Sequence, residues 1–115
     1  MIRKNHEMET EVRERMRDGT GTVEVLHVFR SRELKGRTRL FARLRLAAGS
    51  SIGFHRHEGE EEIFYILSGA GEVSEGGPLS SVGPGDAVLT GDGGGHSIAN
   101  TGGAPLEFLA VILVY

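Results

Sequence analysis

The chain has no cysteine among its 115 residues, which excludes disulfides, thiolate metal sites and a cysteine nucleophile. Zinc-finger, thioredoxin-like and papain-like readings fall with it. Long apolar runs are also missing. The longest, Leu109 to Tyr115, is far too short to cross a bilayer, and the charged stretch Met1-Ile2-Arg3-Lys4-Asn5-His6-Glu7 leads into no apolar segment. A cytoplasmic protein without membrane partners is therefore expected. No internal repeat or low-complexity linker divides the chain, and its length suits one hydrophobic core. What is abundant is glycine, 18 residues without any collagen-like period, which signals many tight turns between short strands.

Charge is distributed unevenly. Residues 1–45 hold 12 of the 13 basic residues against 7 acidic ones, whereas residues 46–115 hold Arg56 against 9 acidic residues. The front of the chain is basic and the back acidic, with a net charge of −3. Arg39, Arg43 and Arg45 alternate with Leu40, Ala42, Leu44 and Leu46. That pattern is a half-buried antiparallel strand with a solvated basic face. No aromatic platform or basic helix accompanies it, so no nucleic-acid partner is expected.

Period-two alternation also marks a strand over Val23 to Phe29, with further strands at Ile63 to Leu67, Ala87 to Thr90, His96 to Asn100 and Leu106 to Tyr115. Turn signals separate them at Ser68-Gly69, Gly76-Gly77-Pro78, Gly83-Pro84-Gly85-Asp86 and the glycine-rich loop Gly91 to Gly95. Residues 1–19 read as a polar arm, extended or carrying a short helix over 11–17, because Val12 and Met16 lie four apart. The remainder, 20–115, reads as a single all-β domain, a sandwich or barrel.

Three of the five histidines carry the chemistry. His55 and His57, two apart on extended backbone, project to one side and can converge on one ion. Glu62 follows, and His96 lies beyond the glycine loop. Three imidazoles and a carboxylate suit a transition metal rather than calcium. His6 and His27 read as structural or merely exposed, and Glu58, Glu60 and Glu61 as a solvated acidic loop.

These residues fall into a longer pattern. Gly49, His55, His57, Glu62 and Gly69 match the first motif of the cupin superfamily, and Gly85, Gly93, His96 and Asn100 match the second. Gly91 stands where that motif has proline, a departure that concerns a turn and no ligand. The chain thus resembles a small single-domain cupin over residues 49–100. The resemblance implies a double-stranded β-helix, or jelly-roll barrel, with a divalent metal (Mn, Fe, Ni or Zn) held by His55, His57, Glu62 and His96. It implies bracing roles for Asn100, Gly69 and Gly85.

Such a centre is expected to bind a small oxygen-rich metabolite, an organic acid or sugar derivative, and to act on it by dioxygenase, isomerase or lyase chemistry. The alternative is a non-catalytic binding or sensing module with a metal-anchored pocket. The missing cysteine sets aside cysteine-dioxygenase-like enzymes, and the length sets aside two-domain oxalate decarboxylases and seed-storage cupins. Phe41, Phe54, Phe64 and Tyr65 are candidates for the pocket wall, with the Tyr65 hydroxyl as proton donor. The final strand is apolar on both faces apart from Glu107, which predicts a homodimer.

Overall fold

A computed structural model describes all residues, 1–115. Ten strands form two antiparallel sheets. In chain order they are β1 (Glu9–Glu14), β2 (Thr22–His27), β3 (Thr38–Leu46), β4 (Ser51–Arg56), β5 (Glu60–Ser68), β6 (Gly71–Ser74), β7 (Leu79–Val82), β8 (Ala87–Thr90), β9 (Gly95–Asn100) and β10 (Leu106–Val114). Six of them make one sheet in the order β1-β2-β3-β10-β5-β8, and the other four make a second in the order β4-β9-β6-β7. This is the double-stranded β-helix that the motifs imply. No helix is long and apolar enough to cross a membrane.

Alternation dictates what lies between the sheets. Val23 and Val25 of β2, Ala42, Leu44 and Leu46 of β3, Phe64 and Ile66 of β5, and Leu106, Phe108 and Ala110 of β10 point inward from the larger sheet. Ile52, Val73 and Ile98 meet them from the smaller one. The residues between them on each strand turn outward.

One open sequence expectation is decided here, and further strands are added to those expected. The helix over 11–17 does not form: residues 9–14 pair with β2, from Glu9↔His27 to Glu14↔Thr22, and only a single 3-10 turn follows at Met16–Asp18. Strands β4 and β7 lacked a clear alternation in the sequence. In β4 the register slips between Ile52 and His55, a bulge that lets two residues three apart both face the interior. β7 is exposed along most of its length.

Asn100 fastens the end of β9, its amide donating to the carbonyls of Leu46 and Ala104 and its side-chain oxygen accepting from the Gly102 amide. Gly69 and Gly85 adopt φ of 87° and 90°, as turns of this kind require. At Gly91 a Cβ would stand 2.9 Å from the Cβ of Glu61, so this chain has little room there for proline or any other side chain.

Candidate metal centre

Four side chains converge at one place between the sheets. The bulge in β4 brings His55 inward opposite its cross-strand partner His96 on β9, and His57 follows just past the end of β4. His57 is held there by its own backbone: its amide donates to Gly94 and its carbonyl accepts from Gly93, so the glycine loop clasps the ligand segment. Glu62 enters from the opposite sheet on the inward face of β5, in line with Phe64 and Ile66.

The inward atoms lie close together. His96 Nε2 is 3.2 Å from His57 Nε2 and 3.2 Å from His55 Nε2. Glu62 Oε1 is 2.9 Å from His57 Nε2, 2.9 Å from His96 Nε2 and 3.9 Å from His55 Nε2. All four donor atoms fall within 4.8 Å of one another. At metal–ligand bonds of about 2.1 Å, ligand atoms at right angles stand roughly 3 Å apart, so these spacings suit one coordination sphere.

The outward nitrogens are equally informative. His55 Nδ1 is 2.8 Å from the Gly53 carbonyl and His57 Nδ1 is 2.8 Å from Glu60 Oε1. Both partners only accept, so each ring carries its proton on Nδ1 and turns the Nε2 lone pair inward. His96 Nδ1 meets the Thr90 hydroxyl at 2.8 Å. Lone pairs facing one another around a buried carboxylate repel unless a cation lies between them, and the donor set therefore fits a metal ion. Burial works against the charge on Glu62; hydrogen bonds from proton-bearing His55 and His96 and the charge of His96 and His57 would lower its carboxyl to about 2, and with the lone pairs turned inward that stabilising part falls to the cation.

Phe64 stacks on His96 with ring centroids 4.7 Å apart and an interplanar angle of 15°, which fixes the plane of that ligand. A cavity of about 180 Å³ opens above His55, His57 and Glu62. Its middle is walled by Leu40, Leu44, Ile52, Phe64 and Ile112, and its rim carries Arg13, Arg17, Arg30 and Arg39 together with His27 and Glu11.

The structure brings His55, His57, Glu62 and His96 together and leaves Tyr65 out. One residue beyond Phe64 on β5, Tyr65 points to the outer face and is 46% exposed, so its hydroxyl does not reach the cavity. Of the four aromatic candidates for the wall, Phe64 alone lines it; Phe41 packs against Phe29, and Phe54 is 45% exposed. Sequence reasoning missed Glu60, which accepts from His57 and is itself gripped by Arg39 at 2.8 Å through Nε and Nη2. It also missed His27, which is buried, faces the cavity and is paired with Glu11 at 2.7 Å.

Comparison with known proteins gives a consistent answer. The family model described as "Cupin domain" matches residues 42–112. An oxalate-binding protein of Thermotoga maritima is 44% identical over 114 residues, covering 99% of this chain and 94% of the relative. An uncharacterized protein of Methanocaldococcus jannaschii is 32% identical over 81% of this chain and 72% of its own length. Among solved structures, that of a predicted oxalate decarboxylase from Thermotoga maritima superimposes with a TM-score of 0.95 at 43% identity, each chain fully covered. That chain matches this one in extent, so length sets aside only the two-domain decarboxylases. The polyketide cyclase of Streptomyces resistomycificus, at 19% identity and a TM-score of 0.79 over 99% of this chain and 80% of the other, shares the fold.

Proposed function

The chain belongs to the cupin family, and from that premise we propose that it binds a small organic acid through a divalent metal ion held by His55, His57, Glu62 and His96. The observation that carries this reading is the inward convergence of three imidazole lone pairs and one ionised carboxylate at the floor of an arginine-rimmed cavity. Manganese, iron, nickel and zinc all suit such a mixed nitrogen and oxygen set. The bound ion supplies an electrophilic point that attracts carboxylate oxygens.

The chain's own residues do the rest. Gly53, Glu60 and Thr90 hold the rings in place from behind. Glu9, Glu11, Glu60 and Glu62 offset the four arginines, so the attraction of the cavity for an anion rests on the bound ion. Leu40, Leu44, Ile112 and Phe64 keep water from competing along the walls. Oxalate is the first ligand to test, because a relative 44% identical is named an oxalate-binding protein.

Calorimetric titration of oxalate into protein loaded in turn with each metal should give binding that disappears after chelation and in Glu62→Ala and His57→Ala. Equal binding by metal-free protein would overturn the reading. A metal-dependent enzyme is the second reading, supported by the structural neighbour described as a predicted oxalate decarboxylase. Release of formate and carbon dioxide from oxalate would establish it, and thermal stabilisation by oxalate without product would leave a binding protein.

A further inference from the structure

We propose that His27 is the proton-accepting residue of the metal cavity: it takes a proton from solvent when a carboxylate ligand enters, and becomes the anion's counter-charge. This rests on the metal-anchored reading above and adds to it a residue that couples ligand binding to pH.

His27 ends β2 on the inward face, in line with Val23 and Val25. The two valines join the core, whereas His27 lines the same cavity as His55, His57 and Glu62. It is buried, while Arg30 on the rim is half-buried and Arg13, Arg17 and Arg39 are exposed. Apart from the metal ligands, His27 is therefore the basic group of the cavity whose charge water screens least.

The two ring nitrogens have different surroundings. Nε2 lies 2.7 Å from Glu11 Oε1. Hydrogen bonds from Arg13 and from His27 itself lower the Glu11 carboxyl, so Glu11 stays an ionised acceptor and Nε2 carries the proton. Nδ1 has no partner in the chain. The buried side-chain polar atoms that lack one are Thr38 Oγ1 and Arg43 Nε, so Nδ1 is not sealed in. For a buried ring on an inward face, the space that Nδ1 meets is the cavity. Its lone pair is a vacant proton position.

The surrounding charge decides when that position fills. Glu9, cross-strand from His27, and Glu11 are paired with Arg13, Arg30 and Arg32, so three guanidiniums face two carboxylates beside the ring. That positive sum disfavours a further proton. β3 adds only Ala42 opposite the ring. On the rest of the cavity wall stand Arg17 and Arg39, the latter paired with Glu60. A divalent ion on Glu62 gives the floor a charge of about +1, and a dianion such as oxalate brings it to about −1. Leu40, Leu44, Ile52 and Ile112 line the space between and screen that change little. Anion and proton each favour the other, by the same factor. A purely structural His27 would tie β2 to Glu11 of β1 and exchange no proton.

Calorimetric titration of oxalate into Mn(II)-loaded protein, in PIPES and in Tris near pH 7, counts the protons exchanged on binding. The native chain should take up roughly half a proton or more per oxalate, and its affinity should fall as pH rises from about 6 to 8. In His27→Gln, whose amide can still donate to Glu11, the uptake should vanish and affinity should no longer change over that range. Glu11→Gln removes a carboxylate and leaves Arg13 and Arg30 beside the ring, so the uptake should move to lower pH. Metal-dependent oxalate binding without proton uptake, or uptake unchanged in His27→Gln, would overturn this inference alone. Failure of oxalate to bind the loaded native protein would overturn the metal-anchored reading and this inference with it.

Discussion

The imidazole of His57 is flanked by two carboxylates, Glu62 at 2.9 Å from Nε2 and Glu60 at 2.8 Å from Nδ1. Glu60 sets the tautomer and the ring orientation, and Arg39 holds Glu60. In Glu60→Gln the shape is kept while the acceptor charge is lost, and metal affinity should fall about 10- to 100-fold in competition with a chromophoric chelator. Unchanged affinity would show that Glu60 does not support the ligand. The Arg39 hydrogen bonds, joined by His57, hold the Glu60 carboxyl at about 2 against an ordinary 4.5. Its folded pKa is the lower one, so its contribution is complete above about 4.5 and is lost as pH falls towards 2. Arg39 is half exposed, so that contribution is about 1 kcal/mol or less. Thermal denaturation of metal-free protein should therefore depend less steeply on pH across that window in Glu60→Gln than in the native chain. Glu62 could be singled out in the sequence by its spacing to Gly69 and its parity with Phe64. Glu60 could not, because its partner Arg39 lies 21 residues away on another strand. His27 has inward parity, yet parity does not distinguish a position facing a cavity from one facing the core.

β8 was delimited by its flanking turns rather than by alternation, β5 starts at Glu60, three residues before the expected Ile63, and β3 was legible to within a residue because it has one buried and one open face. β4 was not, although it carries a ligand: its bulge breaks the period, and Gly53 offers no side chain to reveal which way it faces. The Arg15–Asp18 turn was hidden for a related reason. Val12 and Met16 four apart suggest a helix, and only the ladder to β2 together with the contact on Gly53 makes strand and turn the better solution. That contact is testable. Gly53→Ala must displace the Arg17 carbonyl or the strand beneath it, at a cost of about 1–3 kcal/mol typical of overpacking. The melting temperature should drop, and trypsin should cut faster after Arg15 and Arg17. Gly36→Ala, where a Cβ meets nothing within 4 Å, serves as the control and should change neither. A native melting temperature and digestion pattern in Gly53→Ala would show that the turn is not clamped there.

Over the whole molecule, the basic front and acidic back of the chain are folded against one another. Arg39 pairs with Glu60 and Arg45 with Glu107, while Arg43 donates to Asn5, so the arginines of β3 are engaged within the chain. The outer face they border is mainly apolar. Register aligns Phe41, Val111, Ile63 and Leu89 in one row across β3, β10, β5 and β8, and Leu109, Tyr65 and Ala87 in the next. Tyr65, Leu67 and Leu89 are 46%, 44% and 62% exposed. Contiguous apolar surface of this kind on a lone barrel invites association. Arg39 and Arg45 at its margin are paired with carboxylates, whereas Arg43, in the row of Leu109 and Tyr65, meets only the neutral Asn5 side chain. We therefore propose that the chain forms a homodimer through this face, which also gives Tyr65 a place as an anchor rather than a proton donor. Light scattering at micromolar concentration should return twice the chain mass of 12.4 kDa. Val111→Arg places an unpaired charge at the centre of the patch and should return the single-chain mass with an unchanged far-ultraviolet spectrum. A native chain that scatters as a monomer would mean that the outer face of the larger sheet stays in water, and that the apolar character of β10 on that side serves the barrel alone.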